Sequence, residues 1–346
     1  MLFAPARFRA SLANLREHRF VTFAVLTDTI GAGLTLPLTI VYFTITTDVP
    51  LAVIGVLSTV ASLVALPIGL VGGLLEQAYD DVDYISAHAY YEEEGDLSSF
   101  LASGVNMDHF IDTVTTAADH VKAHKKSDKR IDISFDEWNV WSLSKWNEQQ
   151  KTFELQDWPV APRLLEDVYT VADAVVVGGL LITLLRHADR VASASLAQLV
   201  NVIGPIMTEP GGPAWRQTTF FPFSLTSRLA NGTSLQVKAS GDTVDGGKHG
   251  EVPVVDSAAT VEDGKAAVFL VNRHQTETTT VTIDLAGLQV DGDVRAEGVW
   301  DDDVHAVNDL GNRERVGLRT NDTVRRDGDT ITIELPPVSW TAVSIG

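Results

Sequence analysis

The chain has 346 residues, enough for two ordinary domains with sizeable cores, and it carries no cysteine and a formal net charge of −20 at neutral pH. Without cysteine, disulfides, thiolate metal sites and cysteine nucleophiles are excluded. The acidic balance excludes nucleic acid as a partner held through its phosphates, which takes clustered Lys and Arg, and it fits both a surface adapted to high salt and a merely acidic soluble protein.

The charge is unevenly spread. Residues 1–75 hold Arg7, Arg9, Arg16 and Arg19 against Glu17, Asp28 and Asp48, so the negative charge lies almost wholly beyond them. Residues 20–47 contain one charge, Asp28, and residues 49–75 contain none. Each run exceeds the ~20 residues that cross a bilayer as a helix. Residues 1–76 therefore read as a transmembrane-like helical hairpin, with membrane insertion of residues 20–75 and the arginines holding its N-terminus in the cytoplasm. A buried soluble hairpin is the other reading. Asp28-Thr29-Ile30-Gly31-Ala32-Gly33-Leu34, Leu36-Pro37-Leu38 and Ala65-Leu66-Pro67-Ile68-Gly69 resemble the first two helices of a major facilitator superfamily transporter. Two helices alone make no transport pathway.

Residues 77–213 alternate strand and helix. Strands are predicted at Val82–His88, Ile131–Glu137 and Arg190–Gln198. A helix near Asn106–Lys126 shows Met107, Phe110, Val114, Ala118 and Val121 at helical spacing. A polar loop follows Glu137. A second helix opens at Pro162 and runs through Val168, Ala172, Val175 and Val176 to about Arg186; its apolar end is too short for a membrane span and is predicted to cover a barrel. Repeated βα units imply an α/β segment with a parallel sheet and sites at the C-terminal strand ends.

Residues 214–346 lose the helical period. Thr218–Phe223, Ser234–Lys238, Ala266–Asn272, Thr278–Leu285, Val294–Trp300, Thr330–Leu335 and Ser339–Ile345 read as strands between Gly, Asp and Asn turns, an all-β sandwich or jelly roll. Asp301-Asp302-Asp303 lacks the ligand pattern of a calcium loop and reads as a solvated turn. No metal and no cofactor is expected.

The chemistry is concentrated in Ile131-Asp132-Ile133-Ser134-Phe135-Asp136-Glu137-Trp138-Asn139-Val140-Trp141. A strand that ends on a glutamate among aromatic residues suits the nucleophile of a retaining glycosidase, which must stay ionised, accept hydrogen bonds and face an aromatic floor. Side-chain alternation sets Glu137 on the face opposite Asp136 and Trp138. His88 and Tyr90 share a face at an earlier strand end, and Gln198 ends the third strand. Each residue alone also has a purely structural reading.

Their order and wording resemble glycoside hydrolase family 51, the α-L-arabinofuranosidases. The resemblance lies in Asp83-Tyr84-Ile85-Ser86-Ala87-His88-Ala89-Tyr90-Tyr91, Ser134 through Trp141, Trp158-Pro159-Val160-Ala161-Pro162-Arg163, Leu196-Ala197-Gln198-Leu199-Val200-Asn201 and Leu335-Pro336-Pro337-Val338-Ser339-Trp340. It implies that the three strands are strands six to eight of a (β/α)8 TIM barrel. It further implies Glu137 as nucleophile, with His88, Tyr90, Trp141 and Gln198 contacting the sugar or orienting the nucleophile. The implied partner is an arabinofuranose-containing oligosaccharide of the arabinan or arabinoxylan type, and the implied assembly a homo-oligomer. The arginine count and two crossings place the glycosidase part in the cytoplasm, tethered through the hairpin. The family's acid/base is the Glu of a Gly-Asn-Glu motif; the Asn-Glu pair here, Asn147-Glu148, follows the nucleophile, so the acid/base is expected to be absent. Asp80, Asp81 and Glu92–Glu94 read as solvated charges. The expectation is a fusion or truncation product, weakly active or inactive alone, with a membrane-tethered carbohydrate-binding remnant as the alternative.

Overall fold

The computed structural model describes residues 75–152 and 163–346, without the side chains of 149–152. The apolar runs predicted as a hairpin lie outside the described residues up to residue 74, as does Pro162. No helix among the described residues is long and apolar enough to cross a membrane. Residues 78–346 pack as one unit.

Its first layer is a three-stranded sheet. Strand β1 (Tyr84–Tyr91) is followed by helices α1 (Leu97–Leu101) and α2 (Ser103–Lys125), then β2 (Asp132–Val140), α3 (Leu143–Thr152), α4 (Val171–Arg186) and β3 (Val191–Leu196). The order is β1-β2-β3, parallel throughout, as the alternating pattern predicts. Met107, Ile111, Ala118 and Val121 form the buried stripe of α2, and Lys122 and Lys125 complement the dipole of its last turn.

Two local expectations fail here. The segment after β2 is helical, not a loop, because its first amides are satisfied from distant residues. Ser142 N donates to Asp167 Oδ2 at 2.9 Å and Ser144 N to the Glu92 carboxylate at 3.2 Å. Glu92 is therefore a helix cap, not a solvated charge. Helix α4 begins at Val171 and excludes Val168, because Thr170 and Asp173 form a capping box that sets its start.

The chain then forms a hairpin of β4 (Ile206–Thr208) and β5 (Ala214–Arg216), helix α5 (Phe220–Leu229), and strands β6 (Thr233–Leu235), β7 (Thr243–Asp245), β8 (Glu251–Pro253), β9 (Val255–Glu262) and β10 (Lys265–Asn272). Next come β11 (Thr279–Asp284), β12 (Val294–Val299), β13 (Arg319–Thr320), β14 (Arg325–Asp327), β15 (Thr330–Leu335) and β16 (Ser339–Ile345). A six-stranded sheet, β13-β12-β16-β10-β9-β6, faces a three-stranded sheet, β11-β15-β14. Ala259, Val268, Leu270, Ala296, Ile333, Leu335 and Val343 fill the space between them. The predicted strand Thr218–Phe223 is instead the entry to α5. Its aromatic residues favour strands locally, but Phe221, Pro222, Leu225 and Thr226 bury one face at helical spacing, and Pro222 sits in the first turn where a missing N–H costs nothing.

Helix α4 is buried on nearly every face, and the tertiary layers explain why. It packs against α2 and β2 on one side and against β9, β10 and β16 on the other. The opposite face of β10 and β16, with Phe269, Val271, Trp340 and Ala342, joins α4 and the residues behind β2 in one continuous core. At the closest approach, a Cβ on Gly178 would lie 2.2 Å from Trp340 Cδ1, so only glycine fits.

Candidate active site

The site is built on the face of β1-β2-β3 turned away from α4. Ser86, Ser134 and Ser193 lie in register across the three strands, and Ser134 and Ser193 hydroxyls stand 3.2 Å apart. These small polar side chains leave room for the longer ones next along the strands.

That next layer depends on an irregularity in β2. Pairing runs Ser86 to Ser134 and then His88 to Glu137 on one side, and Phe135 to Ala194 and then Trp138 to Leu196 on the other. Both neighbours therefore see one extra residue in β2, a bulge immediately before Glu137. A bulge breaks the period of two and re-aims the side chains beside it. Asp136 and Glu137 are both exposed, whereas Phe135 and Trp138 are both fully buried. The expected alternation, with Asp136 and Glu137 on opposite faces, is thus overturned. Nor does β2 end at Glu137: pairing continues to Tyr91 with Val140, and Trp141 N still donates to Tyr91 O at 2.9 Å.

His88 lies between the two carboxylates, with Nε2 3.3 Å from Asp136 Oδ1 and Nδ1 3.7 Å from Glu137 Oε2. Ser86 Oγ donates to Asp136 Oδ1 at 2.8 Å and stands 3.2 Å from His88 Nε2. The Ser86 hydroxyl, together with His88, holds the Asp136 carboxyl below its ordinary range. These groups are about half exposed, so the contacts set orientation more than stability.

Tyr90 completes the grip on Glu137. Its hydroxyl donates to Oε2 at 2.9 Å. Burial, the hydrogen bond and the negative charge of Glu137 push the phenol up to about 12, so it keeps its proton and remains a donor through neutral and alkaline pH. Trp141 closes the wall, its ring edge-on to Tyr90 at 5.3 Å between centroids and 71° between planes. Glu137, His88, Tyr90 and Trp141 are thus brought together.

Gln198 is placed differently. It stands two residues beyond β3, exposed, and its side-chain amide makes no hydrogen bond to another described residue. Asp136 and Ser86 are members of the cluster that sequence reasoning passed over, and Asn139, two residues past Glu137, is buried against the Ala197 and Ile203 carbonyls. Ser86 carried a signal, since it shares the face of His88 two residues on; Asp136 carried none until the bulge is known. Among the described residues no group of His, Asp and Glu is arranged to hold a metal ion.

Residues 136–339 match the α-L-arabinofuranosidase C-terminal domain. The chain is 53% identical over 283 residues to an exo-α-(1→6)-L-arabinofuranosidase of Bifidobacterium longum, covering 79% of this chain and 54% of that protein. It is 50% identical over 273 residues to an intracellular exo-α-(1→5)-L-arabinofuranosidase of Streptomyces lividans, covering 78% and 41%. Among solved structures, a family 51 α-L-arabinofuranosidase from Bifidobacterium longum superposes with a TM-score of 0.74 at 40% identity, over 80% of this chain and 55% of that one. The chain spans about half the length of the relatives it matches.

Proposed function

The chain belongs to the family 51 α-L-arabinofuranosidases through their C-terminal domain, and from that premise we propose that it serves a retaining glycosidase that releases terminal arabinofuranose, with Glu137 as the nucleophile. The observation that carries this reading is the Tyr90 hydroxyl donating at 2.9 Å to Glu137, near the C-terminal end of the middle strand of a parallel sheet. Sites on such sheets form at the C-terminal strand ends, and β1, β2 and β3 take the place of barrel strands six to eight.

Glu137 attacks the anomeric carbon; the glycosidic C–O bond breaks and its electron pair leaves with the departing oxygen, which takes up a proton. Water then cleaves the glycosyl ester, returning the carboxylate and releasing arabinose with retained configuration. Tyr90 and His88 hold Oε2 so that the other oxygen is free to attack. Trp141 supplies apolar surface to the sugar, and Gln198 at the rim supplies an amide. The substrates are α-(1→5)- or α-(1→6)-linked arabinofuranosides, as in the names of the similar enzymes. The acid that protonates a natural leaving group is not assigned among the described residues. An aryl leaving group departs without one, which makes it the substrate of choice for a test.

The test is arabinose release from an aryl α-L-arabinofuranoside by the full chain and by Glu137→Gln. Turnover is expected in the first and a loss of at least about 10⁴-fold in the second. Equal rates would remove Glu137 from the mechanism, and arabinose binding without turnover in the unmodified chain would favour a binding role instead.

A further inference from the structure

Asn139 lies two residues past Glu137 with 1% of its surface exposed, and nothing in the chemistry above uses it. Its Nδ2 stands 2.6 Å from the carbonyl of Ala197 and 2.7 Å from that of Ile203. An amide has two protons to donate, so both go to the two ends of one loop. Between those ends stand Gln198, Leu199, Val200, Asn201 and Val202. The Tyr169 hydroxyl joins the same cluster, its one proton shared between the Val140 carbonyl at 3.0 Å and the Ile203 carbonyl at 3.1 Å, and stands 3.3 Å from Nδ2.

The tip of the loop is tied to β4, where Asn201 N donates to the Ile206 carbonyl at 2.8 Å and Asn201 Oδ1 accepts from Thr208 N at 2.9 Å, but its apolar side chains add little. Leu199 is 66% and Val200 43% exposed, so neither is an apolar anchor. The backbone is also in an unfavourable conformation, with φ of 61° at Asn201 and 39° at Ile203. A β-branched residue in that region persists only where its surroundings over-determine it. Here the surroundings are the Asn139 amide, the Tyr169 hydroxyl, the contacts of Asn201 to β4 and the Leu165 carbonyl, which accepts from Ile203 N at 2.6 Å.

We infer that Asn139 is a positioning residue: by gripping the Ala197 and Ile203 carbonyls from the nucleophile strand, it fixes Gln198 at the rim of the Glu137 site and so sets how the sugar is held. This builds on the arabinosidase reading of that site. A single buried side chain then couples nucleophile and rim, because the same strand that carries Glu137 holds the loop.

Two measurements on the full chain test it. Hydrogen exchange at residues 198–204 is expected to speed up in Asn139→Ala while the amides pairing β1 with β2 keep their protection; unchanged loop exchange would overturn the grip. With an aryl arabinofuranoside, Asn139→Ala and Gln198→Ala are each expected to lower kcat/KM roughly tenfold to a hundredfold. In the double variant the loss should be no greater than that of the worse single one, since both changes remove the same contact. Losses that multiply in full would overturn the route through Gln198. If Asn139→Ala does not fold, Tyr169→Phe, which removes one hydroxyl from the cluster, carries the same expectations at smaller amplitude. An unmodified chain without turnover defeats the arabinosidase reading and takes the sugar-positioning role with it. Turnover abolished by Glu137→Gln but indifferent to Asn139→Ala defeats this inference alone.

Discussion

Asp256 is the residue whose loss should cost this unit most for the fewest atoms removed. It lies on β9, and its carboxylate accepts from Arg273 at 2.5 Å and from Arg186 at the end of α4. Arg273 is 4% exposed and also donates to the carbonyls of Leu101 and Pro253. Arg186 continues to Asp108 on α2 at 2.6 Å, and Asp108 to His187 at 2.9 Å. One chain of charges thus links α2, α4 and the six-stranded sheet. Asp256→Ala leaves the buried Arg273 guanidinium without its counter-charge, a defect that costs about 3–5 kcal/mol. For a unit of this size each kcal/mol lowers Tm by about 2–4 °C, so the expected drop in thermal denaturation is roughly 6–20 °C.

Acid should erase the difference. Burial alone would raise the Asp256 carboxyl, but the Arg273 and Arg186 guanidiniums outweigh it and hold the group below its ordinary value. On acidification the unfolded chain therefore takes up the proton first. The contribution is complete above about pH 4 and is lost as pH falls through the lower folded value. The Tm gap between the unmodified chain and Asp256→Ala should be constant near neutrality and narrow below about pH 4. The exposed Asp303, paired with Arg315, is the control: Asp303→Ala should not move Tm measurably. A Tm for Asp256→Ala no lower than that of Asp303→Ala would refute the reasoning.

Further outcomes follow from particular contacts. Tyr90→Phe removes the hydroxyl on Glu137 Oε2; kcat on an aryl arabinofuranoside should fall about tenfold with KM little changed, as for a group acting mainly in the transition state. Because the Tyr90 phenol sits near 12, its tyrosinate should add nothing to the absorbance difference between the two proteins below about pH 11. Gly178→Ala places a methyl 2.2 Å from Trp340 Cδ1; the overpacking should cost about 1–3 kcal/mol or more and shift tryptophan fluorescence, and an unchanged Tm would mean that α4 can retreat from the sheet. Asp167→Ala takes away the acceptor of Ser142 N at the start of α3; a loss of about 0.5–2 kcal/mol is expected there, read as faster limited proteolysis within α3 than elsewhere.

Much of this was legible residue by residue. Thr330–Leu335 and Ser339–Ile345 are strands with the predicted limits, and Ala266–Asn272 lies within one residue of β10. In β15 and β11 alternate side chains point inward, which is the signal a period of two provides. His88 and Tyr90, two apart on one strand, could be read as sharing a face, whereas the direction of Glu137 depends on the bulge in β2. Entry to α5 was not: Phe220, Phe221 and Phe223 favour strands locally, and only the core against α4 reveals the helical face.

The amino-acid sequence by itself determined which carboxylate and aromatic side chains surround Glu137, the parallel order of its strands and the β-rich second half, since all three rest on short periods and residue types. Tertiary structure alone decided how those residues point. One extra residue in β2 turned Asp136 to the side of Glu137, because a single insertion inverts every later side chain in a strand. Helix α3 exists where carboxylates 25 and 52 residues away meet its first amides. Asn139 reaches carbonyls 58 and 64 residues on. Partners that far apart leave no local pattern, and they become neighbours only once the layers have packed.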